Sequence, residues 1–296
     1  MVAVTRRTLL GSLAACATVS AAQDRRPPWP LGVQLWSVAD QLKGDFEGTL
    51  RRLAAIGYER VEAAGWLDRA PEAFRRSVTA AGLRCDSAHV AMVELAADMR
   101  GSAGRARDAG CNYLICSSPL PPKPLAPGRP WLTALTEAMT LDGWRYNADL
   151  LNRAAAVTGA AGLKFGYHNH TAEFARYDGQ RGYDVLLAET DPKAVLLELD
   201  VAWATAGGAD AVALMRANRG RVARLHLKDL EARSTRGRIA QSFATVPVGQ
   251  GVIDWRSIIR EAKATGVGGA YVELEPPHAR SPFDELTEAR DFLKTV

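Results

Sequence analysis

Short apolar runs alternate along this chain with amphipathic stretches of helical period. Eight of the runs have the length and composition of buried strands, at residues 31–36, 60–64, 84–90, 113–117, 163–168, 195–200, 223–228 and 269–274. Helices are predicted between them, for example at residues 46–55, 71–81, 149–158, 209–218 and 258–264. The pattern therefore indicates a repeating strand–helix unit.

Glycines mark the ends of several predicted helices, and Gly57, Gly82, Gly110 and Gly266 each stand just before the next strand. Glycine at this place is typical of a helix C-cap in an αβ loop. Eight such units in residues 31–296 predict a single-domain α/β protein, a (β/α)8 or TIM barrel. A doubly wound open sheet is the alternative. The first strand is not followed by G-x-G-x-x-G, which disfavours that alternative.

One segment breaks the regular spacing. Residues 118–145 are rich in proline, carry two tryptophans and lengthen the fourth unit. In a barrel this loop follows the carboxyl end of a strand, where active sites lie. We therefore expect an extended loop that acts as a lid or a substrate wall, with a surface loop of no function as the alternative.

The N-terminus has the layout of an export signal. Arg6 and Arg7 precede an apolar segment that ends near Ala22, so residues 1–22 are predicted to be a Tat-type signal peptide. Cys16 also fits a lipobox, in which case the mature protein has a lipid anchor. The segment is too short for a membrane-spanning helix. A proline-rich leader (23–30) follows, and we expect a periplasmic or secreted protein.

Composition excludes some function classes. The formal net charge is +4, and no basic run is interleaved with aromatic residues, so nucleic acid is not an expected partner. Cys85, Cys111 and Cys116 lie in or beside apolar runs and are expected to be buried thiols. A bridge between Cys111 and Cys116 is disfavoured, because residues five apart on an extended strand lie too far apart.

The later strands end in ionisable groups. Unpaired charges are costly in a protein interior, so polar strand ends at one edge of a barrel indicate a shared site. Side chains alternate along a strand, so residues two apart face the same way. The pairs expected to face the barrel interior together are His168 with His170, Glu198 with Asp200, His226 with Lys228, and Glu273 with Glu275.

Carboxylates and imidazoles in one cluster suit Mn²⁺, Co²⁺, Mg²⁺, Fe²⁺ or Zn²⁺. The candidate ligands are Asp200, His226 and Glu273, with a fourth from Glu173, His168 or His170. Each has a structural alternative: Asp200 as a helix cap, His226 as a hydrogen-bonded core histidine, and Glu273 as a surface residue.

Other polar and aromatic side chains are candidates for substrate binding. Glu62 and His89 end earlier strands and can bond a hydroxyl or orient a ligand, while a tryptophan can stack on a sugar ring. Lys228 is a candidate for stabilising an enolate oxygen or donating a proton. The predicted substrate-binding residues are Gln34, Trp36, Glu62, His89, Trp203 and Glu275.

Four motifs together resemble the sugar phosphate isomerase/epimerase family of the xylose-isomerase-like TIM-barrel superfamily, over nearly the whole mature chain. They are Y-H-N-H-x-x-E-F at 167–174, E-L-D at 198–200 with W at 203 and G-G-A-D at 207–210, L-H-L-K-D at 225–229, and V-G-Q-G-V-I-D-W at 248–255. The resemblance implies one divalent metal at the carboxyl end of the barrel, held by Asp200, His226 and Glu273.

The fifth strand departs from the family. Isomerases and epimerases of the family usually have a glutamate at its end, where this chain has His168. The His-x-His arrangement looks more like the inosose dehydratases and keto-glycoside lyases of the superfamily. Glu173 is the candidate for supplying the missing carboxylate.

The expected activity is proton abstraction next to the carbonyl of a sugar or keto-sugar, with a metal-stabilised enolate. His168, His170 or Glu273 would take the proton, and Lys228 or His89 would return it or protonate a leaving group. Return gives isomerisation or epimerisation, whereas loss of a β-substituent gives dehydration or glycoside cleavage. The rivals are an endonuclease IV-like DNA repair enzyme and a non-catalytic periplasmic sugar-binding protein.

Overall fold

The computed structural model describes residues 29–231, 244–278 and 280–296. Its central feature is a closed barrel of eight parallel strands arranged in sequence order, in which the last strand pairs with the first. The predicted single-domain (β/α)8 barrel is confirmed. The strands are β1 (Leu31–Gln34), β2 (Arg60–Ala64), β3 (Arg84–Ala91), β4 (Tyr113–Ser118), β5 (Lys164–His168), β6 (Val195–Asp200), β7 (Val222–Leu227) and β8 (Ala270–Val272).

Helices connect the strands around the barrel. They are α1 (Ala39–Gly44), α2 (Phe46–Ile56), α3 (Pro71–Ala80), α4 (Met92–Ala97), α5 (Met99–Asp108), α6 (Trp131–Ala138), α7 (Leu141–Ala160), α8 (Gly182–Glu189), α9 (Val201–Ala206), α10 (Ala211–Ala217), α11 (Trp255–Thr265) and α12 (Pro282–Leu293). Short 3-10 helices occupy Leu35–Val38 and Ala172–Phe174. Two small hairpins pair Arg176–Tyr177 with Gln180–Arg181, and Asp229–Leu230 with Thr245–Val246.

Apolar and polar side chains alternate along the later strands and point to opposite sides of the barrel wall. Leu199 and Leu227 are fully buried, and each stands between two polar residues in the sequence. Because side chains alternate across a strand, the leucines face the surrounding helices and their polar neighbours face the barrel interior. The apolar core therefore lies between strands and helices, and the polar set is collected inside the barrel.

The first and last strands are shorter than predicted, which changes where their polar residues point. The Gln34 carboxamide accepts a hydrogen bond from the Trp36 backbone N–H, and the chain turns into a 3-10 helix there. Gln34 is consequently fully buried, whereas the Trp36 side chain is 46% exposed. β8 stops at Val272, so Glu273 and Glu275 lie beyond the strand.

The proline-rich segment after β4 is partly helical. It contains α6, and α7 begins at Leu141, eight residues before the predicted start at 149. Thr140 caps α7 by accepting a hydrogen bond from the Gly143 backbone N–H. Trp144, predicted to lie in the loop, is instead fully buried in α7 and packs so closely on Gly182 that a Cβ atom there would clash with the indole ring.

The predicted signal peptide, the lipobox cysteine and most of the leader fall outside the described residues. None of the helices in the described part of the chain has the length and apolar character needed to cross a bilayer. Cys85, Cys111 and Cys116 are buried free thiols, as expected, and the Sγ atoms of Cys85 and Cys111 lie 3.5 Å apart.

Candidate active site

A cavity of about 690 Å³ opens at the carboxyl ends of the barrel strands. Ionisable side chains from several strands reach it, including His89, His168, His170 and Glu273. This is the end of the barrel at which active sites of the fold are found. The polar strand ends singled out in the sequence therefore do converge on one place.

Two overlapping groups of side chains in the described residues have the spacing of metal ligands. In each group the ligand atoms all lie within 4.8 Å of one another. Ligands bound to one ion at about 2.0–2.2 Å would lie at most about 4.4 Å apart, so either group needs only small adjustments. The groups are His89, His168, Glu198 and His226, and His168, Asp200, His226 and Glu273.

The bonding of His226 favours the second group. Its Nε2 atom lies 2.6 Å from Glu62 Oε2, and its Nδ1 atom lies 2.8 Å from Glu273 Oε2. A histidine that binds a metal usually donates its other ring N–H to a carboxylate. Glu62 fills that role at Nε2, and Nδ1 points to Glu273. Burial would lower the pKa of His226, but Glu198, Glu273 and Glu62 raise it well above its usual value, so a cation bound at Nδ1 would replace the proton that His226 shares with Glu273.

Asp200 has one oxygen engaged and one available. Oδ1 accepts a hydrogen bond from the Trp203 backbone N–H and caps α9, whereas buried Oδ2 has no hydrogen-bond partner. Burial raises the pKa of Asp200 to about 6, although the Lys228 ammonium 3.4 Å from Oδ2 opposes the rise. Asp200 can therefore be both a helix cap and a metal ligand, because Oδ1 caps α9 and Oδ2 remains available to an ion.

His168 completes the group at the end of β5. Burial, followed by the charge of His226, lowers its pKa well below the usual value, so the imidazole is neutral. Its Nδ1 atom is buried without a hydrogen-bond partner and lies 3.4 Å from Glu198 Oε2. Neutral imidazole is the form that binds metals. A buried oxygen on Asp200 and a buried nitrogen on His168, both without hydrogen bonds, fit a divalent ion in this group.

Lys228 is fully buried beside three carboxylates. Its Nζ atom lies 2.6 Å from Glu275 Oε1, 2.9 Å from Glu273 Oε2 and 3.4 Å from Asp200 Oδ2. Burial would lower the pKa of Lys228, but these carboxylates raise it above its usual value, so the amine is charged. The ammonium also lies 4.5 Å from the centre of the Trp203 ring. A fixed cation therefore stands next to the candidate ligands.

Gln34, Glu62 and His89, predicted to bind substrate, form a bonded layer around His226. Gln34 donates a hydrogen bond to Glu62 Oε2, and His89 Nε2 lies 3.0 Å from the same oxygen and 2.7 Å from Glu198 Oε2. Burial would lower the pKa of His89, but the two carboxylates raise it to about 9. Glu62 is fully buried, and its hydrogen bonds orient His226. His89 lines the cavity as a protonated imidazole.

The remaining predicted contacts lie at the cavity wall. Trp36, Trp203 and Glu275 all line it, and the Trp36 indole N–H donates a hydrogen bond to Glu275 Oε2. His170 also lines the cavity, with its ring centre 4.9 Å from that of His168. Burial and then the Lys228 ammonium lower the pKa of His170 to about 3, which keeps its imidazole neutral.

Glu173 is not brought into either ligand group. Its Oε1 atom accepts a hydrogen bond from the Tyr167 hydroxyl at 2.7 Å, and burial raises its pKa to about 7. Tyr167 neighbours His168 on β5 and therefore faces the opposite side of the strand. The 3-10 turn at Ala172–Phe174 directs Glu173 towards that side, so the expected return of its carboxylate to the metal site is not observed.

Two site residues were missing from the predicted set. Glu198 lies 3.2 Å from His226 Nε2 and 2.7 Å from His89 Nε2. The alternation of Glu198 with Asp200 predicts an inward position, but the predicted ligands do not include Glu198. Trp131 lines the cavity at the start of α6, with its ring centre 5.0 Å from that of His170. It belongs to the proline-rich segment, where no periodicity signalled its position.

Comparison with known proteins gives a family match over most of the chain. The model for xylose isomerase-like TIM barrels matches residues 50–296. An inosose dehydratase of Geobacillus thermodenitrificans is 29% identical over 52% of this chain and 55% of its own length, so the alignment spans about half of that relative. An inosose dehydratase of Geobacillus kaustophilus is 25% identical over 82% of this chain and 85% of its own length.

A solved structure is similar over almost the whole chain. The sugar phosphate isomerase/epimerase of Parabacteroides distasonis superposes with a TM-score of 0.73 and 25% identity, covering 95% of this chain and 98% of its own. These matches confirm the resemblance inferred from the four motifs.

Proposed function

Because the chain belongs to the xylose isomerase-like TIM-barrel family, we propose that it is a metal-dependent enzyme that removes the proton next to the carbonyl of a keto-sugar or a related cyclic ketone. The observation that carries the proposal is the group formed by His168, Asp200, His226 and Glu273, with charged Lys228 beside it. Two members of this group, His168 and Glu273, line the cavity. A non-catalytic sugar-binding protein would need neither the ligand group nor a buried lysine.

The four residues of this group would hold the ion, which would supply Lewis acidity to the carbonyl oxygen. His170 is the proposed base, because its neutral ring borders the cavity and is outside both ligand groups. Lys228 places a fixed positive charge where negative charge develops on the substrate oxygen. His89, protonated with a pKa of about 9, is the proposed acid.

Dehydration is the second candidate outcome of the same first step. Proton return to carbon would complete an isomerisation or epimerisation, whereas donation of a proton to a β-hydroxyl would expel water. Protonated His89 supports dehydration, as do the relatives named inosose dehydratase. Cleavage of a keto-glycoside would follow the same course, with a sugar as the leaving group.

The test is incorporation of solvent deuterium next to the carbonyl of an inosose, 3-ketoglucose or fructose, followed by NMR. The wild type should exchange or convert one of these compounds, and chelator treatment should stop the reaction. We expect His170→Ala to retain the metal and lose the exchange, and Asp200→Ala to lose both. Exchange that survives in Asp200→Ala and after chelation would overturn the proposal.

We further propose that the protein is exported through the Tat pathway, on the strength of Arg6, Arg7 and the apolar segment that follows. Cell fractionation with N-terminal sequencing of the mature protein is the test. An Arg6→Lys, Arg7→Lys double variant should remain in the cytoplasm with its signal uncleaved. Equal export of both forms would contradict Tat dependence.

A further inference from the structure

The cavity is larger than the proposed reaction centre requires. Its volume of about 690 Å³ lies well inside the range of roughly 300–1,000 Å³ found for clefts that hold drug-sized ligands. A single hexose ring has about half the atoms of a disaccharide. We infer, on the basis of the proposed function, that the cavity binds a two-ring saccharide, with the reacting ring over the ligand group and a second ring in an outer subsite.

The lining residues define where the second ring would lie. The ligand group comes from β5 to β8, whereas Arg105, Ser117 and Ser118 line the cavity from the β3 and β4 units. In a closed eight-stranded barrel these units lie across the mouth from β7 and β8. The outer subsite is defined here as Arg105, Ser117, Ser118 and Trp131.

Tryptophans are concentrated at this cavity. Of the seven in the chain, four line it: Trp36, Trp66, Trp131 and Trp203. Trp36 is 46% exposed and Trp131 is 43% exposed. Exposed aromatic surface beside a cleft indicates a ligand that covers it. One ring near β1 and one at the start of α6 provide two stacking surfaces on different sides of the mouth, which suits two sugar rings.

The polar side chains of the outer subsite suit hydroxyl groups better than phosphate. Arg105 is the one lysine or arginine among the described residues that line the cavity. Its Nη2 atom donates to Ser102 Oγ at 3.1 Å, and its Nη1 atom lies 3.7 Å from Asp98 Oδ2. The guanidinium is thus partly neutralised but retains N–H donors, and the two serine hydroxyls both donate and accept. The second ring should therefore be uncharged.

Binding to unoxidised sugars tests the inference without catalysis. By calorimetry, at least one of cellobiose, maltose and trehalose should bind the metal-loaded protein at least tenfold more tightly than glucose. Arg105→Ala and Trp131→Ala should each reduce this ratio. Arg107→Ala is the matched control, because Arg107 lies two residues away on α5 with an exposed side chain and does not line the cavity.

Two results would overturn the inference: glucose and all three disaccharides binding equally, or a ratio that Arg105→Ala leaves unchanged. Either result, found together with metal-dependent deuterium exchange in a single-ring ketone, would leave the proposed function standing. Loss of the exchange reaction in all single-ring and two-ring ketones would instead count against the proposed function, whatever the disaccharides do.

Discussion

The imidazole of His226 lies between two carboxylates, with Nε2 2.6 Å from Glu62 and Nδ1 2.8 Å from Glu273. All three side chains are buried, and Gln34 holds Glu62 through a further hydrogen bond. Gln34 on β1 and Glu62 on β2 therefore fix the orientation of His226, the ligand on β7.

Replacing Glu62 by Gln should weaken metal binding about ten- to hundredfold, because His226 loses the carboxylate that orients it. Competition with a chelating dye measures this affinity directly. Glu59→Gln is the control, since Glu59 is exposed and lies outside the site. An affinity equal to that of the wild type would show that Glu62 does not act through His226.

Lys228→Met separates metal binding from catalysis. In the wild type, the Lys228 ammonium lies near Asp200 and Glu273 and repels a cation that these carboxylates hold. We therefore expect the variant to bind the metal at least as tightly as the wild type. Deuterium exchange should fall about a hundredfold or more, because the fixed positive charge near the developing oxyanion is gone. Loss of the metal with Lys228 would contradict the assigned role.

Glu173 should make stability fall as pH rises. Its pKa increases from 4.5 to about 7 on folding, because burial disfavours the charged form. Between pH 4.5 and pH 7 the Glu173 carboxyl is ionised in the unfolded chain but still protonated in the folded protein, so the free energy of unfolding falls as pH rises. Above pH 7 the carboxyl is ionised in both states, and the free energy of unfolding stays at this lower value. At about 1.36 kcal/mol per pH unit, the loss is at most about 3 kcal/mol.

Thermal unfolding of Glu173→Gln and the wild type at pH 5 and pH 8 tests this effect. Glutamine imitates the protonated acid, so the melting temperature of the variant relative to the wild type should be higher at pH 8 than at pH 5. A difference that does not change with pH would show that Glu173 does not titrate in this range.

The carboxylate of Asp229, the second residue after β7, anchors the loop that precedes α11. Its buried carboxylate accepts hydrogen bonds from the backbone N–H groups of Leu230, Gly249 and Ile253, and from the Trp255 indole at 2.7 Å. The V-G-Q-G-V-I-D-W motif is therefore held against the residue next to Lys228.

Asp229→Asn should lower the free energy of unfolding by about 1–3 kcal/mol, since an amide NH2 would face N–H donors and leave them unsatisfied. Denaturant unfolding measures the change. Asp40→Asn provides the comparison, because the Asp40 side chain is 81% exposed. Equal stability of the two variants would rule out the proposed anchoring.

Much of this architecture was predictable from the sequence, because it depends on local periodicity. The alternation around Leu199 and Leu227 placed Glu198, Asp200, His226 and Lys228 inside the barrel, where the structure has them. The direction in which a side chain points depends on one strand alone, so the sequence predicts it. The count of eight strand–helix units then predicts that the strands close into a barrel.

The remaining features depend on contacts between distant segments. Glu62 and His226 are 164 residues apart, and only barrel closure shows that they bond to each other. Glu173 is a candidate for the fourth ligand because the fifth strand ends in His168 where the family has a glutamate, yet the 3-10 turn directs Glu173 to Tyr167. Trp131 stands in a segment without periodicity, so its place at the cavity had no local signal.

Elemental analysis of the purified mature protein tests the central claim most directly, with an Asp200→Ala, His226→Ala double variant in parallel. We predict about one divalent transition metal per chain in the wild type, lost in the double variant. Absence of metal from the wild type, even after reconstitution with Mn²⁺, Co²⁺ and Zn²⁺, would contradict the metal-dependent enzyme and favour a sugar-binding protein.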